Sequence, residues 1–300
     1  MLVCVLSDTY AREKEEYETE MLHVKTMKLP EDLEFALNSA EPMGWGLVKE
    51  DFEFMTQLEP DGCFVLFDGP EKIGMATTIS YGSVGWLGNV VVDEDRRRQG
   101  AGSFLVKQCV RFLLDRGAET IGLYAYVDRV PFYERLGFKS NSEFIFLKGK
   151  GFSLPARSKI VRVDKKKVPS IIALDQTCFG AFREKLLKPI LLDDSNLCVM
   201  TVEGDEVLGY AAATTYDENA ELGPLVCSRE HGGTALDLLK TVLAKLEGFD
   251  VSLCVPKKEA SICNMLLDNG LREDFHLMRM FHGKPPTKDC IYLAESLERG

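Results

Sequence analysis

The 300 residues carry 36 basic and 47 acidic side chains, a formal net charge of −11, and 45% hydrophobic residues. Such a composition is that of a soluble globular chain long enough for about two domains. It argues against general nucleic-acid binding, which needs a basic face, and no apolar stretch approaches the ~20 residues of a membrane-spanning helix.

In chain order, MLVCVLSDTYAREKEEYETE has neither a basic n-region nor an Ala-x-Ala site, so residues 1–20 are expected to be an N-terminal extension rather than a secretory signal. The acidic excess is concentrated between Glu13 and Glu59, which suits either a basic substrate or a solvated helical face. MLHVKTMKL reads as a strand; PEDLEFALNSA and KEDFEFMTQL read as helices; CFVLFD and IGMATTISYG form a strand pair across Gly69–Pro70. WLGNVVVD is a fully apolar strand. In the helix that follows, Ala101, Phe104, Leu105, Cys109, Phe112 and Leu113 recur at three- and four-residue steps, and Gly117 ends it. ETIGLYAY, VPFYERL and FKSNSEFIFL then give strand, short helix and strand.

The chain repeats itself at an offset of 135: KIGMATTISY (72–81) lies on VLGYAAATTY (207–216), and WLGNVVV (86–92) on ELGPLVC (221–227). Two copies of one fold follow, with a seam in KGKGFSLPARSK (148–159). The nine cysteines show no CxxC pair and the four histidines no zinc spacing, so no metal is expected. The thiols are expected to be reduced core-filling groups of a cytoplasmic protein.

The stretch DRRRQGAGSFL (95–105) places arginines and glycines where a buried strand turns into a helix. The helix there presents unpaired N–H groups and the positive end of its dipole, glycine lets a ligand approach the backbone, and guanidinium pairs with phosphate. This is a turn suited to pyrophosphate. Leu105 stands where a dinucleotide fingerprint would need its third glycine, and no GKS or GKT occurs.

What remains, Arg97-x-x-Gly100-x-Gly102 after a hydrophobic strand, resembles the GNAT superfamily of acyl-CoA N-acyltransferases; VPFYERLGF resembles its second signature. GWGLVKEDFEFM, DQTCFGAFR, ELGPL, VPKKEASICNMLLDNGL and RMFHG further resemble the bacterial YitH-like group, in which a diverged acetyltransferase-like domain follows the first. The resemblance implies an α/β fold, specifically an α+β mixed sheet: two tandem GNAT-like domains, each a mostly antiparallel central sheet flanked by helices. It implies a catalytic domain over residues 21–150 and a diverged one over 151–300.

The same resemblance implies acetyl-CoA as cosubstrate. Arg97, Arg98, Gln99, Gly100, Ala101, Gly102 and Ser103 would cradle its pyrophosphate, and the backbones of Val91 and Val92 its pantetheine arm, with a bulge at Gly88–Asn89. Tyr133 would protonate the departing thiolate, since a phenol stays protonated at neutral pH. A base must take the ammonium proton; Glu53 is the candidate, with Asp51 and Asp128 behind it. Trp45, Asn89 and Glu221 would line an acceptor pocket. Asp175 and Arg183 match a recurring family feature or form a structural salt bridge.

In the second copy Ala235 and Asp237 replace Gly100 and Gly102, and Arg229-x-x-Gly232-x-Thr234 is a faint echo of the motif; at an offset of 133, where LGF (136–138) meets NGL (269–271), Leu266 falls at Tyr133. The expected activity is N-acetyl transfer to a cationic small-molecule or peptide amine, with no nucleic-acid or membrane partner and the oligomeric state open. The alternatives are a non-catalytic acyl-CoA sensor or scaffold, and a protein or histone lysine acetyltransferase.

Overall fold

The structure is a computed structural model that describes residues 22–157, 159–286 and 290–300; the expected N-terminal extension and Cys4 lie outside the described residues. The chain divides into two compact units, one of residues up to Ile79 with Leu87–Asp115, the other of Ser80–Trp86 with Arg116–Gly300.

In the first unit the strands run in the order β1 (Leu22–Thr26), β2 (Cys63–Asp68), β3 (Glu71–Ser80), β4 (Val84–Val92), with β1, β2 and β3 paired antiparallel. Helices α1 (Leu33–Ala40) and α2 (Lys49–Leu58) bury Ala36, Ala40, Phe52 and Met55 against Cys63, Val65, Met75 and Val91. Side chains alternate along a strand, so Phe64 points to the opposite face. There it meets Phe112 of α3 (Ala101–Asp115) edge to face at 5.2 Å. The buried stripe of α3 is Ala101, Leu105, Val106, Cys109 and Leu113.

In the second unit, residues 84–86 of β4 pair in parallel with β5 (Thr120–Tyr126). After the short helix α4 (Val130–Glu134) and β6 (Lys139–Lys150), the chain repeats the same order of elements. These are β7 (Val161–Arg162), α5 (Val168–Phe179), α6 (Glu184–Leu192), β8 (Leu197–Glu203), β9 (Glu206–Tyr216), β10 (Asn219–Cys227), α7 (Gly232–Lys245), β11 (Asp250–Pro256), α8 (Ala260–Asp268), β12 (Arg272–Gly283) and β13 (Ile291–Leu293). The strand order is β5-β12-β6-β11-β10-β9-β8-β7, with β13 on β10.

The two repeats have therefore exchanged their last strands. β12 of the second repeat pairs with β5 of the first from Leu277↔Tyr126 to Gly283↔Thr120. β6 of the first pairs with β11 of the second from Lys150↔Asp250 to Phe144↔Pro256. Each long strand thereby has a partner on both sides and leaves no open edge. Helix α7 supplies Leu238, Leu239, Val242 and Leu243 to the core over β9, β10 and β11. Among the described residues no helix is long and apolar enough to cross a membrane.

One cysteine expectation is corrected. Cys178 and Cys290 form a disulfide, their Cα atoms 5.4 Å apart, within the span that a disulfide bridges. The other described cysteines are buried free thiols, as core-filling groups should be.

Candidate active site

The strand β4 ends in a tight turn: Asp93 N–H donates to Ile73 C=O (2.9 Å), Arg96 N–H to Asp93 C=O (3.0 Å) and Arg97 N–H to Glu94 C=O (3.3 Å). Arg98 and Gly100 take φ +64° and +89°, left-handed backbone that glycine adopts freely. Helix α3 closes its first bond from Phe104 N–H to Gly100 C=O at 2.9 Å. Among the described residues the N–H groups of Arg98 through Ser103 have no acceptor, so a continuous run of donors faces outward at the dipole's positive end.

The three arginines have different roles. Arg96 is held by Asp68 (2.8 Å) and Glu71 (2.6 Å) in the β2–β3 hairpin. Arg97 donates Nε–H to Val92 C=O at 2.8 Å, tying the turn to the strand end. Arg98 has no partner among the described residues. Gln99 reaches back to Asp95 C=O at 2.9 Å. Partial burial, with Asp95 beside it, raises the Asp93 carboxyl above its ordinary value. This loop has what a pyrophosphate requires: backbone donors, a free guanidinium and an open glycine at position 100, where an added Cβ would meet nothing within 4 Å.

Along β4, Val91 and Val92 are buried, whereas Asn89 has φ +50° and is half-buried. Its amide donates to Thr77 Oγ1 (3.2 Å) and approaches Met55 Sδ (3.2 Å), fixing the side chain on the α1–α2 face. Trp45, between Gly44 and Gly46 at φ +67° each, packs half-buried on the core of that face. Glu53 points the other way, into solvent, 3.0 Å from Lys49. Asp51 caps α2 by accepting Val48 N–H at 2.9 Å, and Asp128 lies on the surface 3.3 Å from Arg129.

In the second unit, Tyr133 sits half-buried on α4. Its ring meets Phe132 (4.9 Å) and Phe138 (5.8 Å) edge to face, and its carbonyl accepts the N–H groups of Leu136 (3.0 Å) and Phe138 (3.1 Å). Phe138 is buried against His282 of the exchanged strand β12 at 5.6 Å. The second repeat thus supports the tyrosine segment of the first, which no repeat alignment reveals.

The counterpart turn after β10 is committed elsewhere. Arg229 pairs with Glu259 (2.8 Å) and lies 4.5 Å over the Tyr292 ring. Asp237, buried, accepts the backbone N–H of Arg157 at 3.2 Å. Glu221 is half-buried in β10 between Thr214 and Ser252. Burial opposes the charge of Arg299, yet Glu295, Glu298 and Glu221 hold its pKa well above the ordinary value. Asp175 and Arg183 are a fully buried bidentate pair (2.9 and 2.7 Å); Tyr210 donates to the same carboxylate at 2.6 Å and Arg183 also donates to Gly300 C=O. The salt-bridge reading of that pair is the one the geometry supports.

Burial raises the thiols of Cys63 and Cys198 to about 12 and Cys227 to about 11, and likewise lifts Cys109, Cys254 and Cys263, so none of these is an activated nucleophile at neutral pH. Among the described residues no group of three or more His, Cys, Asp or Glu could hold a metal.

Comparison with known proteins agrees with this geometry. A family model described as Acetyltransferase (GNAT) family matches residues 30–138, and one described as Acetyltransferase (GNAT) domain matches residues 171–292. The chain is 24% identical to the holothin acyltransferase of Pseudoalteromonas sp. (strain SANK 73390) over 261 residues, 85% of this chain and 87% of that protein. It is 20% identical to the N-acetyltransferase YitH of Bacillus subtilis (strain 168) over 207 residues, 68% and 72% of the two chains. Its fold is similar to a putative acetyltransferase from Pyrococcus horikoshii, with a TM-score of 0.77 at 18% identity over 93% of this chain and 96% of that one. Matched by that family's models in both repeats, the chain belongs to the GNAT superfamily as a tandem acyltransferase.

Proposed function

We propose that the chain is a cytoplasmic N-acetyltransferase that moves an acetyl group from acetyl-CoA to the primary amine of a cationic small molecule or peptide. Residues 21–150 carry the chemistry and 151–300 form the diverged partner domain. The observation that carries this reading is the run of unpartnered N–H groups from Arg98 to Ser103 at the head of α3. With the side chains of Arg97, Arg98 and Gln99 they hold the pyrophosphate; Val91 and Val92 hold the pantetheine arm.

The neutral amine nitrogen bonds to the acyl carbon while the C–S bond breaks; the thiolate takes the Tyr133 hydroxyl proton, and the second proton, shed by nitrogen after the N–C bond forms, passes to water, which restores the phenol. The raised cysteine pKa values favour direct attack over an acyl-cysteine. Trp45 and Asn89, on one face of the first unit, are the residues an acceptor would meet there. Glu53 is turned outward to Lys49, so the ammonium proton leaves through water. One relative is named for holothin, a name that favours a discrete compound over a protein as acceptor.

The test follows thiol release from acetyl-CoA over a panel of amines. Wild type should turn over at least one of them, and Tyr133→Phe should lower kcat at least tenfold with little change in acetyl-CoA affinity. Saturable acetyl-CoA binding without turnover on any amine would overturn the catalytic reading in favour of a sensor.

A further inference from the structure

The second repeat owns counterparts of β4 and β5, yet the slot beside its strand is filled. β10 and β11 pair in parallel only from Asn219↔Asp250 to Leu222↔Leu253. Beyond that point β13 takes over: Leu225↔Leu293 and Val226↔Ile291 pair antiparallel, and Cys227 N–H donates to Cys290 C=O at 3.1 Å. On its other side Ala294 N–H donates to Cys254 C=O of β11 at 3.0 Å. Residues 290–294 are thus bonded to both strands. Gly223 admits the run, because a Cβ there would overlap the carbonyls of Ala294 and Glu295.

At the repeat offset of 135, Val226 and Cys227 are the counterparts of Val91 and Val92. The backbone groups that take a pantetheine arm in the first repeat are, in the second, taken by the chain itself. We propose that residues 290–295 are a built-in plug occupying the second repeat's thioester-arm slot, pinned there by the Cys178–Cys290 disulfide. The inference rests on the role proposed above for Val91 and Val92.

Two further observations belong to it. Tyr292 of the plug lies under the guanidinium of Arg229, the arginine of the echoed phosphate motif, so one segment closes both the arm slot and the loop. The disulfide joins the first residue of the plug to the end of α5, a helix packed against β9. A strand held by two ladder pairs opens easily, whereas one tied covalently to a core helix opens only with that helix. One acyl-CoA per chain follows.

Hydrogen–deuterium exchange on the full chain, with and without acetyl-CoA, tests this. Peptides over 225–227 and 290–295 should be protected in wild type, and acetyl-CoA should add protection over 91–103 while leaving 225–234 and 290–295 unchanged. In Cys178→Ser and Cys290→Ser, exchange over 290–295 should rise at least tenfold with 63–79 unaltered. A non-reducing digest should yield the Cys178 and Cys290 peptides linked.

The plug is overturned if acetyl-CoA protects 225–234, or if 290–295 exchanges freely in wild type; 290–295 staying as protected in the serine variants as in wild type overturns the pin. Two free thiols at these positions overturn the pin. Acetyl-CoA altering no peptide would overturn the proposed function, while protection of 290–295 would still show the second slot closed.

Discussion

At the scale of single residues, the repeat offset sets Gly102, in the first turn of α3, against Asp237, which stands in the second turn of α7 and accepts the Arg157 N–H. An aspartate in the first turn of a helix complements the dipole and leaves the fold intact, but beside a pyrophosphate it adds like charge. Gly102→Asp should therefore lower acetyl-CoA affinity at least tenfold while leaving Tm within a few degrees of wild type, as calorimetric titration and thermal melts would register. The loop and the helix start after β4 could be read from sequence because the signals that make them are local. The division of labour among the arginines could not: Arg96 is engaged by Asp68 and Glu71 across the β2–β3 hairpin, and nothing in DRRRQG distinguishes it from Arg98. The Cys178–Cys290 pair escaped for the same reason, its members standing 112 residues apart.

At the scale of elements, the order of strands and helices followed from hydrophobic patterning, and the repeat offset carried it into the second half. The exchange of β6 and β12 did not, since a repeat records what each strand looks like and not which copy supplies its neighbour. The crossing strands share a charged cluster. His276 Nδ1 lies 2.8 Å from Glu143 and its Nε2 3.0 Å from Glu273, while Lys257 Nζ is 2.8 Å from Glu143; Lys148 and Asp274 pair nearby at 2.8 Å.

Hydrogen bonds to Glu143 and Glu273 raise the His276 pKa, so its stabilisation is fully present below the ordinary imidazole value of ~6.5 and is lost as pH rises through the raised one. Lys257, then His276, lower the Glu143 pKa, so that contribution is present above ~4.3 and is lost as pH falls through the lowered value. The Tm gap between wild type and His276→Gln should accordingly be widest near pH 5.5 and should close by about pH 9. A gap that persists unchanged to high pH would mean the imidazole contributes by packing alone. The groups are partly exposed, so the gap should be small and should shrink with salt.

For the molecule as a whole, the expected seam at 148–159 overlaps the end of β6 and differs from the boundary between compact units, because β6 and β12 pair with strands of the other repeat. Residues 1–150 made alone would leave β5 without β12, and β6 without both β12 and β11. That piece should show no cooperative calorimetric transition, and mixing it with residues 151–300 should restore one. A sharp transition from residues 1–150 at the temperature of the whole chain would show that the exchanged strands add nothing.

Reciprocal donation of a terminal strand is also how two separate single-repeat subunits could hold each other. Here the donors are covalently joined through the segment between β6 and β7, and a short tether replaces a bimolecular encounter with an effective concentration in the millimolar range. Dilution cannot part them. One half can therefore surrender its ligand site altogether and still be retained, because the other half needs its backbone as a neighbour.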